Sequence, residues 1–267
     1  MDTAAIAIDR DELRDLGGRV IAAAGQPSQP FGVYAVEAHE PESELARHVE
    51  RKVFYEFFKN TPELLAAEYG PYEDSTLFVC VLDHRRRLPA GVIRLVLPSA
   101  AGLKSLDDVE AVWGHRLDDV LGRTGTSLEM DRTWDVATLA VDAEYRGRAT
   151  DGLVSLGLYQ AVAQLAVRCH VRWVVTILDL VVLDLIQQAT SKAFESFSGL
   201  EPLRYLDSPS SLPVYCDLDA YFPRLETADP SMHEILYDGR GLEPAVRPLD
   251  LEPALAHVMP GDRAHTA

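Results

Sequence analysis

One segment of the sequence, residues 171–179 (VRWVVTILD), constrains the fold more than any other, because it is a continuous run of apolar and β-branched residues. Such a run is typical of a central strand that is covered on both faces. The preceding segment, 151–169, is apolar nearly all round and predicts a buried helix. Residues 133–142 (TWDVATLAVD) predict a strand before that helix, so we expect 134–141 and 171–178 to be parallel neighbours joined by a right-handed crossover.

The other segments predict further strands and helices around this unit. We expect strands at 31–38, 75–83, 90–98, 200–207 and 212–222, and helices at 9–24, 41–58, 61–70, 105–114 and 180–194. Thr61 and Ser105 are good N-caps for the helices that they begin. The order of elements predicts the α/β class, as a single-domain mixed sheet with helices on both faces.

The segments also suggest a division of the chain into three parts. Residues 1–30 would form an N-terminal extension that ends in a linker, GQPSQP. Residues 31–225 would form the α/β domain. Residues 226–267 are acidic, contain prolines and show little periodicity, so we expect a partly ordered C-terminal extension.

Composition and charge exclude several classes of function. The formal net charge is −17 at pH 7, whereas nucleic-acid-binding proteins usually have a strong basic excess. The N-terminus lacks the pattern of a secretory signal, and no apolar stretch reaches the roughly 20 residues of a membrane span. The 3 cysteines are too few and too far apart for a disulfide framework or a metal site, and the histidines are scattered. We therefore expect a cytoplasmic protein with no metal, no membrane span and no nucleic-acid partner.

The loop between the predicted strand and the buried helix, residues 141–152 (VDAEYRGRATDG), has two interpretations. A turn that contains glycine and opens a helix can bind an anion through free backbone N–H groups, and Arg146 and Arg148 could add bonds to a phosphate. Alternatively, it is an ordinary helix start, capped by Thr150 or Asp151, with exposed arginines.

The order of elements and this loop resemble the GNAT superfamily of acyl-CoA-dependent N-acyltransferases. The family's loop after the fourth strand reads Y-R-G-x-G-x-G; residues 145–151 match its first three positions and have Ala149 and Asp151 where glycine is usual. The resemblance implies that the loop binds the pyrophosphate of CoA, and that backbone N–H groups of the strand hold the thioester. The cofactor-binding residues would be Leu139, Val141, Arg146, Gly147, Arg148, Ala149 and Thr150.

Three short motifs resemble acyl-homoserine-lactone synthases and N-acyl amino acid synthases, GNAT-fold enzymes that take acyl chains from acyl carrier protein. Residues 51–54 match Arg-x-Val-Phe in a helix, and 91–95 match Gly-x-x-Arg-Leu in a strand. Residues 134–138 (WDVAT) stand where these enzymes have Trp-Glu-x-Ser-Arg, so Asp replaces Glu and Ala-Thr replaces Ser-Arg. The resemblance covers about residues 31–225.

Three charged residues are the candidates for catalysis: Asp135, Arg94 and Glu73. Acyl transfer to an amine needs a polarised carbonyl, a proton acceptor and a stabilised thiolate. Asp135 would bind the amine or act as a base, or else it faces solvent at a strand edge. Arg94 interrupts an apolar strand and needs a partner, for which we expect Asp135 in either a catalytic or a structural pair. Glu73 precedes the hairpin, where the resembled synthases have acidic residues near the acceptor, or it belongs to a charged turn.

The sequence therefore predicts an acyltransferase that moves an acyl group from a phosphopantetheine thioester to an amine of a small molecule. The donor would be acyl-CoA or acyl carrier protein, and a homodimer is left open. Tyr205 and Tyr215, at positions where some GNAT enzymes use a general acid, are more typical of core residues. The alternative is a GNAT-like protein that has lost catalysis and binds a small molecule or a protein partner.

Overall fold

The computed structural model describes residues 8–258. In chain order its helices and strands are α1 (Arg10–Ala23), β1 (Phe31–Glu37), α2 (Ser43–Phe58), α3 (Pro62–Tyr69), β2 (Thr76–Asp83), β3 (Leu88–Val96), α4 (Lys104–Ala111), α5 (Leu117–Thr124), β4 (Thr133–Val141), α6 (Leu153–Arg168), β5 (Trp173–Asp179), α7 (Leu180–Ala189), β6 (Glu195–Ser196), β7 (Leu203–Tyr205), β8 (Ser208–Asp217), α8 (Leu218–Ala228), α9 (Pro230–Leu236), β9 (Val246–Arg247) and α10 (Leu251–Val258).

The strands form one mixed sheet in the order β6-β8-β5-β4-β3-β2-β1-β9, and β7 pairs with β8 outside this path. β4 and β5 are parallel neighbours, as the apolar run at 171–179 predicts, and α6 connects them. β1 and β9 are also parallel, whereas the other neighbouring strands are antiparallel. The predicted α/β mixed sheet is confirmed.

Both faces of the sheet are covered by apolar side chains from the helices. On one face, α6 buries Val154, Leu158 and Leu165 completely against the strands, because this helix is apolar nearly all round. The opposite face is covered by α2 near β2 and β3, and by α4 and α5 near β4 and β5. Residues that alternate along each strand therefore point to two different layers of core.

The last predicted strand is too long. The segment 212–222 is extended only as far as Asp217, where β8 ends and α8 begins. The Asp217 side chain accepts a hydrogen bond from the Asp219 N–H (3.1 Å), so it caps the helix and ends the strand.

The terminal segments pack against the sheet. Leu13, Leu16 and Ile21 of α1 are buried against β2 and β3 residues. At the other end, β9 pairs with β1, and Val246 is fully buried in the core beneath α6. Residues 226–258, predicted as part of an acidic extension, therefore include an edge strand and core residues.

Candidate active site

β4 and β5 pair over only three residues each before they separate. The parallel ladder joins 133–135 to 173–175 and does not continue beyond them. β4 remains paired with β3, where the Asp142 N–H donates to the Ala90 carbonyl (2.9 Å). Since N–H directions alternate along a strand, the N–H groups of Leu139 and Val141 point away from β3, toward the gap. The gap therefore presents two backbone donors where β5 has turned away.

A pocket and a cavity meet at this gap from opposite faces of the sheet. The α2-side pocket opens to solvent, and it is lined by residues of α2, α3, β4, β5, α7 and the β7–β8 hairpin. The α6-side cavity has a volume of about 100 Å³ and almost entirely apolar walls, formed mainly by β4, β5, α6 and α8. Val136, Leu139, Thr176 and Leu178 line both. Behind the gap there is therefore room for an apolar group.

Arg94 lies at the centre of a buried ion-pair network beside the pocket. It is 3% exposed, and its Nε and Nη2 donate to the Glu50 carboxylate (3.0 and 2.8 Å), while Nη1 donates to Glu73 (2.7 Å). Arg47 also donates to Glu73 (2.6 Å), and the Thr138 hydroxyl donates to Glu50. Burial alone would lower the pKa of Arg94, but the two carboxylates raise it overall, so Arg94 stays charged.

The predicted Arg94–Asp135 pair does not form. In the sheet, Arg94 lies opposite Thr138, whereas Asp135 lies opposite Val96, beyond a β-bulge and beneath α4. Asp135 is fully buried, and its carboxylate accepts hydrogen bonds from the N–H (2.6 Å) and hydroxyl (2.7 Å) of Ser105. Burial raises its pKa to about 7, although the bonds from Ser105 lower it. Asp135 faces neither solvent nor Arg94.

The contact with Ser105 gives Asp135 a structural role as the cap of α4. That helix begins at Lys104 with Leu103 at the N-cap, and Leu103 makes no side-chain cap bond. The predicted cap, Ser105, instead lies in the first turn, and its N–H is satisfied by the carboxylate from β4. A side chain from the sheet thus does what a local N-cap residue usually does.

A second buried cation lies on the other side of Tyr69. The Lys104 ammonium donates to Glu68 (2.8 Å), Asp108 (2.6 Å) and the Tyr205 hydroxyl (3.0 Å). The Tyr205 hydroxyl in turn donates to Asp108 (2.5 Å). The Tyr69 ring lies 5.3 Å from the Lys104 ammonium and 4.6 Å from the Arg94 guanidinium. Tyr69 and Tyr205 both line the α2-side pocket, so the two networks hold its aromatic walls.

The predicted phosphate-binding loop connects β4 to α6. Arg146 donates from Nε to the Val141 carbonyl (2.6 Å) and stacks over Phe57 (4.6 Å), while Arg148 is exposed. The Thr150 hydroxyl donates to the Tyr145 carbonyl (2.7 Å), so Thr150 is not the helix cap.

The start of α6 is not capped by a side chain. The N-cap position is Gly152, which adopts a left-handed conformation (φ 77°), and Asp151 before it is exposed. Gly147 and Ala149 form a short 3₁₀ turn, in which Gly147 also has a positive φ of 56°. The predicted caps, Thr150 and Asp151, are therefore wrong. The Leu153 N–H donates to the Thr150 carbonyl (3.0 Å), and no side chain caps the first turn of α6.

Comparison with known proteins identifies the fold. No model of a protein family matches the sequence, and no curated protein matches it either. Among solved structures, FeeM, an N-acyl amino acid synthase from uncultured soil microbes, superposes with a TM-score of 0.55 and 14% identity, over 75% of this chain and 97% of FeeM. The AHL synthase LasI gives a TM-score of 0.51 and 12% identity, over 79% of this chain and 96% of LasI. The chain has a GNAT-like fold.

The GNAT-like fold brings together only part of the predicted site. Arg94 and Glu73 are in contact, whereas Asp135 belongs to a separate network. Leu139 lies at the gap, and Val141 follows it toward the loop at 146–150. None of the three predicted catalytic residues lines the α2-side pocket.

Sequence reasoning missed Glu50, although a signal for it was present. Glu50 follows Ala46 by four residues and Val49 by one, so it falls within the buried stripe of α2 and is 3% exposed. A carboxylate on an apolar helix face needs a buried cation, and Arg94 on an apolar strand needs a buried anion. Lys104 carried no such signal, because it lies at a helix start of mixed polarity.

Residues 8–258 contain neither a cluster of metal-ligating side chains nor a helix that could span a membrane. Within these residues, no group of three or more metal-ligating side chains is arranged to hold an ion. The helices described there are also too short or too polar to cross a membrane.

Proposed function

We propose that this protein transfers an acyl group from a phosphopantetheine thioester to the amine of a small molecule. The gap between β4 and β5 carries this proposal, because backbone N–H groups point into it and an apolar cavity lies behind it. The thioester would lie in the gap, with its acyl chain in the α6-side cavity and the acceptor in the α2-side pocket. FeeM is named an N-acyl amino acid synthase and LasI an AHL synthase, which agrees with this chemistry.

The backbone donors at Leu139 and Val141 would hold the donor substrate. A backbone N–H aimed at the carbonyl oxygen stabilises the negative charge that forms when the amine attacks. The amine nitrogen bonds to the carbonyl carbon, the C–S bond breaks, and the sulfur leaves as a thiol with one proton from the nitrogen. Starting from an ammonium group, the reaction yields an amide, a thiol and one proton released to solvent.

The loop at 146–150 and the start of α6 would bind the phosphates of the donor. The first-turn N–H groups of α6 lack a side-chain cap and lie at the positive end of the helix dipole. Arg148 is exposed and could pair with a phosphate, whether that of acyl-CoA or that of a carrier protein's phosphopantetheine. Arg94, Glu73 and Glu50 would act by positioning Thr138 and Tyr69 in the pocket wall.

The proposal is tested by the release of free thiol from a series of acyl-CoA thioesters in the presence of mixed primary amines, with the amide identified by mass spectrometry. Replacing Leu139 with proline removes the N–H that points into the gap, but no ladder bond to β3. We expect this variant to lose about 10²–10³-fold in turnover, the usual effect of one oxyanion donor. The matched control is Leu139→Ala, which also shortens the side chain but keeps the N–H.

Three outcomes separate the alternatives. Equal turnover in the proline and alanine variants, with both folded by circular dichroism, would contradict the role of the Leu139 N–H. Thiol release without amide formation would show hydrolysis instead of transfer. Binding of acyl-CoA in a thermal-shift experiment without any turnover would support the inactive binding module.

A further inference from the structure

The charges of the α2-side pocket restrict the chemical class of the acceptor more than the shape of the pocket does. Among the described residues that line this pocket, Asp179 alone carries a charged side chain, and the others are apolar or neutral. Asp179 is partly buried at the end of β5, where the wall changes from the sheet to α7. A ligand in the pocket therefore meets one carboxylate and no cation from the described part of the chain.

The cations behind the pocket wall are already paired with carboxylates. Arg94 contacts Glu50 and Glu73, and Lys104 contacts Glu68 and Asp108. Each cation thus has two anionic partners, and neither has a free face for a substrate carboxylate. Arg47 also contacts Glu73, so with Asp179 included these described residues place five carboxylates in and behind the wall against three cations. An additional carboxylate there would be repelled, whereas a cation would be attracted.

The Asp179 carboxylate is held in place for such a cation. Its Oδ1 accepts from the Val181 N–H (2.9 Å), and its Oδ2 accepts from the Ser208 hydroxyl (2.7 Å). Ser211 donates in turn to the Ser208 hydroxyl (2.8 Å), which fixes the direction of that group. Each carboxylate oxygen keeps a lone pair for a further donor. These bonds make Asp179 the cap of α7 and fix the orientation of its carboxylate. An ammonium group could therefore bind without any further loss of side-chain freedom at Asp179.

The rest of the pocket would accept an apolar body. Phe54 and Phe58 of α2 pack edge to face, 6.0 Å between ring centres, and line the pocket with Val182 and Leu206. Aromatic and aliphatic walls with few polar groups are typical of sites for small apolar ligands.

We propose that the acceptor is a primary amine with an aromatic or alkyl body and no carboxylate, whose ammonium group binds Asp179. This inference rests on the proposed function, since it assigns the α2-side pocket to the acceptor. It excludes α-amino acids as the preferred acceptors, because residues 8–258 place no cation in the pocket for the carboxylate that each of them carries.

The test uses matched pairs that differ in one carboxylate: tyramine against tyrosine, and phenethylamine against phenylalanine. Binding to the full chain is measured by isothermal calorimetry without any acyl donor, so the result does not depend on turnover. We expect each amine to bind at least tenfold more tightly than its amino acid. Asp179→Asn should weaken tyramine binding by about 10- to 100-fold, the usual effect of a hydrogen bond to a charged group.

Asp229 provides a matched control. It caps α9 in the same way, since its Oδ1 accepts from the Met232 N–H (3.1 Å) and its Oδ2 from the Ser191 hydroxyl (3.2 Å), but it lies outside the pocket. Asp229→Asn should lower the melting temperature by about as much as Asp179→Asn and leave tyramine affinity unchanged.

The outcomes distinguish this inference from the proposed function. Tyrosine binding as tightly as tyramine, or equal tyramine affinity in both asparagine variants, would overturn the inference. Acyl transfer to tyrosine but not to tyramine would also overturn it and would leave the proposed function intact. Tyramine that binds through Asp179 but is not acylated with any donor would support the inference and contradict the proposed function.

Discussion

Replacing Asp135 with asparagine should change how the stability of this protein depends on pH. The carboxylate is fully buried, and both of its oxygens accept hydrogen bonds from Ser105. An asparagine can keep both contacts, because its oxygen accepts from the Ser105 N–H and its NH₂ group donates to the Ser105 hydroxyl. The substitution therefore removes a titrating group with little change in packing.

The size of the effect follows from the pKa of Asp135, which burial raises from 3.8 to about 7. The folded protein binds this proton more tightly than the unfolded chain. The contribution to stability is therefore fully present below about pH 4 and is lost as the pH rises through 7. At 1.36 kcal/mol for each pH unit, the two units between pH 5 and the pKa of about 7 give a loss of roughly 3 kcal/mol, and little more is lost between pH 7 and pH 8.

Urea denaturation at pH 5 and pH 8 measures this effect as a difference between the wild type and Asp135→Asn, in which the other titrating groups cancel. The wild type should lose roughly 3 kcal/mol relative to the variant between the two pH values. Asp118→Asn is the control, because the Asp118 side chain is 88% exposed and its loss should leave the pH profile unchanged. Parallel pH profiles for the wild type and Asp135→Asn would refute the reasoning.

Two other substitutions test the packing of the site. Glu50→Ala leaves buried Arg94 with one carboxylate partner in place of two, so it should cost about 3–5 kcal/mol in the free energy of unfolding, measured with urea; a loss below 1 kcal/mol would contradict this. Gly91→Ala would place a Cβ atom 2.7 Å from Val154 Cγ1 and should cost about 1–3 kcal/mol in thermal unfolding, whereas Gly157→Ala, whose nearest contact is 3.2 Å, should cost less. Equal melting temperatures for the two alanine variants would contradict the close packing of α6.

The central part of the fold could be predicted because its signals are local and strong. The apolar run at 171–179 fits a covered strand, and the apolar segment before it fits a buried helix. The strand β9 could not be predicted in this way, because two residues show no periodicity. It pairs with β1 across more than 200 residues of sequence, so only the folded chain reveals it.

The predicted site failed where it depended on register. Arg94 and Asp135 both interrupt apolar strands that are neighbours, which made a pair between them reasonable. In the observed register Arg94 lies opposite Thr138 and Asp135 lies opposite Val96, two residues further along β3, and different helices cover the two positions. Register and bulges arise from the pairing of strands that are distant in sequence, so a single strand's pattern cannot give them.

The end of β8 is the opposite case, because the sequence contains a signal for a helix start where the predicted strand continues. Asp217 and Asp219 are an acidic N-cap and first turn, which is a typical helix start. The apolar residues that follow, Leu218, Tyr221 and Phe222, fit the buried face of a helix as well as a strand, and all three are buried in α8. The spacing of three and four residues favours the helix, and the structure agrees.

The charged residues that stand out in the sequence lie behind the pocket, and the described side chains that form its wall are neutral except for Asp179. Thr138 and Tyr205 line the α2-side pocket, and their hydroxyls donate to carboxylates behind it, that of Thr138 to buried Glu50 and that of Tyr205 to partly buried Asp108. A threonine or tyrosine in a strand is too common to be noticed, whereas an arginine in an apolar strand is conspicuous. The arginine is informative because its buried charge requires partners. Arg94 donates to Glu50, and Glu50 accepts from the hydroxyl of Thr138, which lines the pocket.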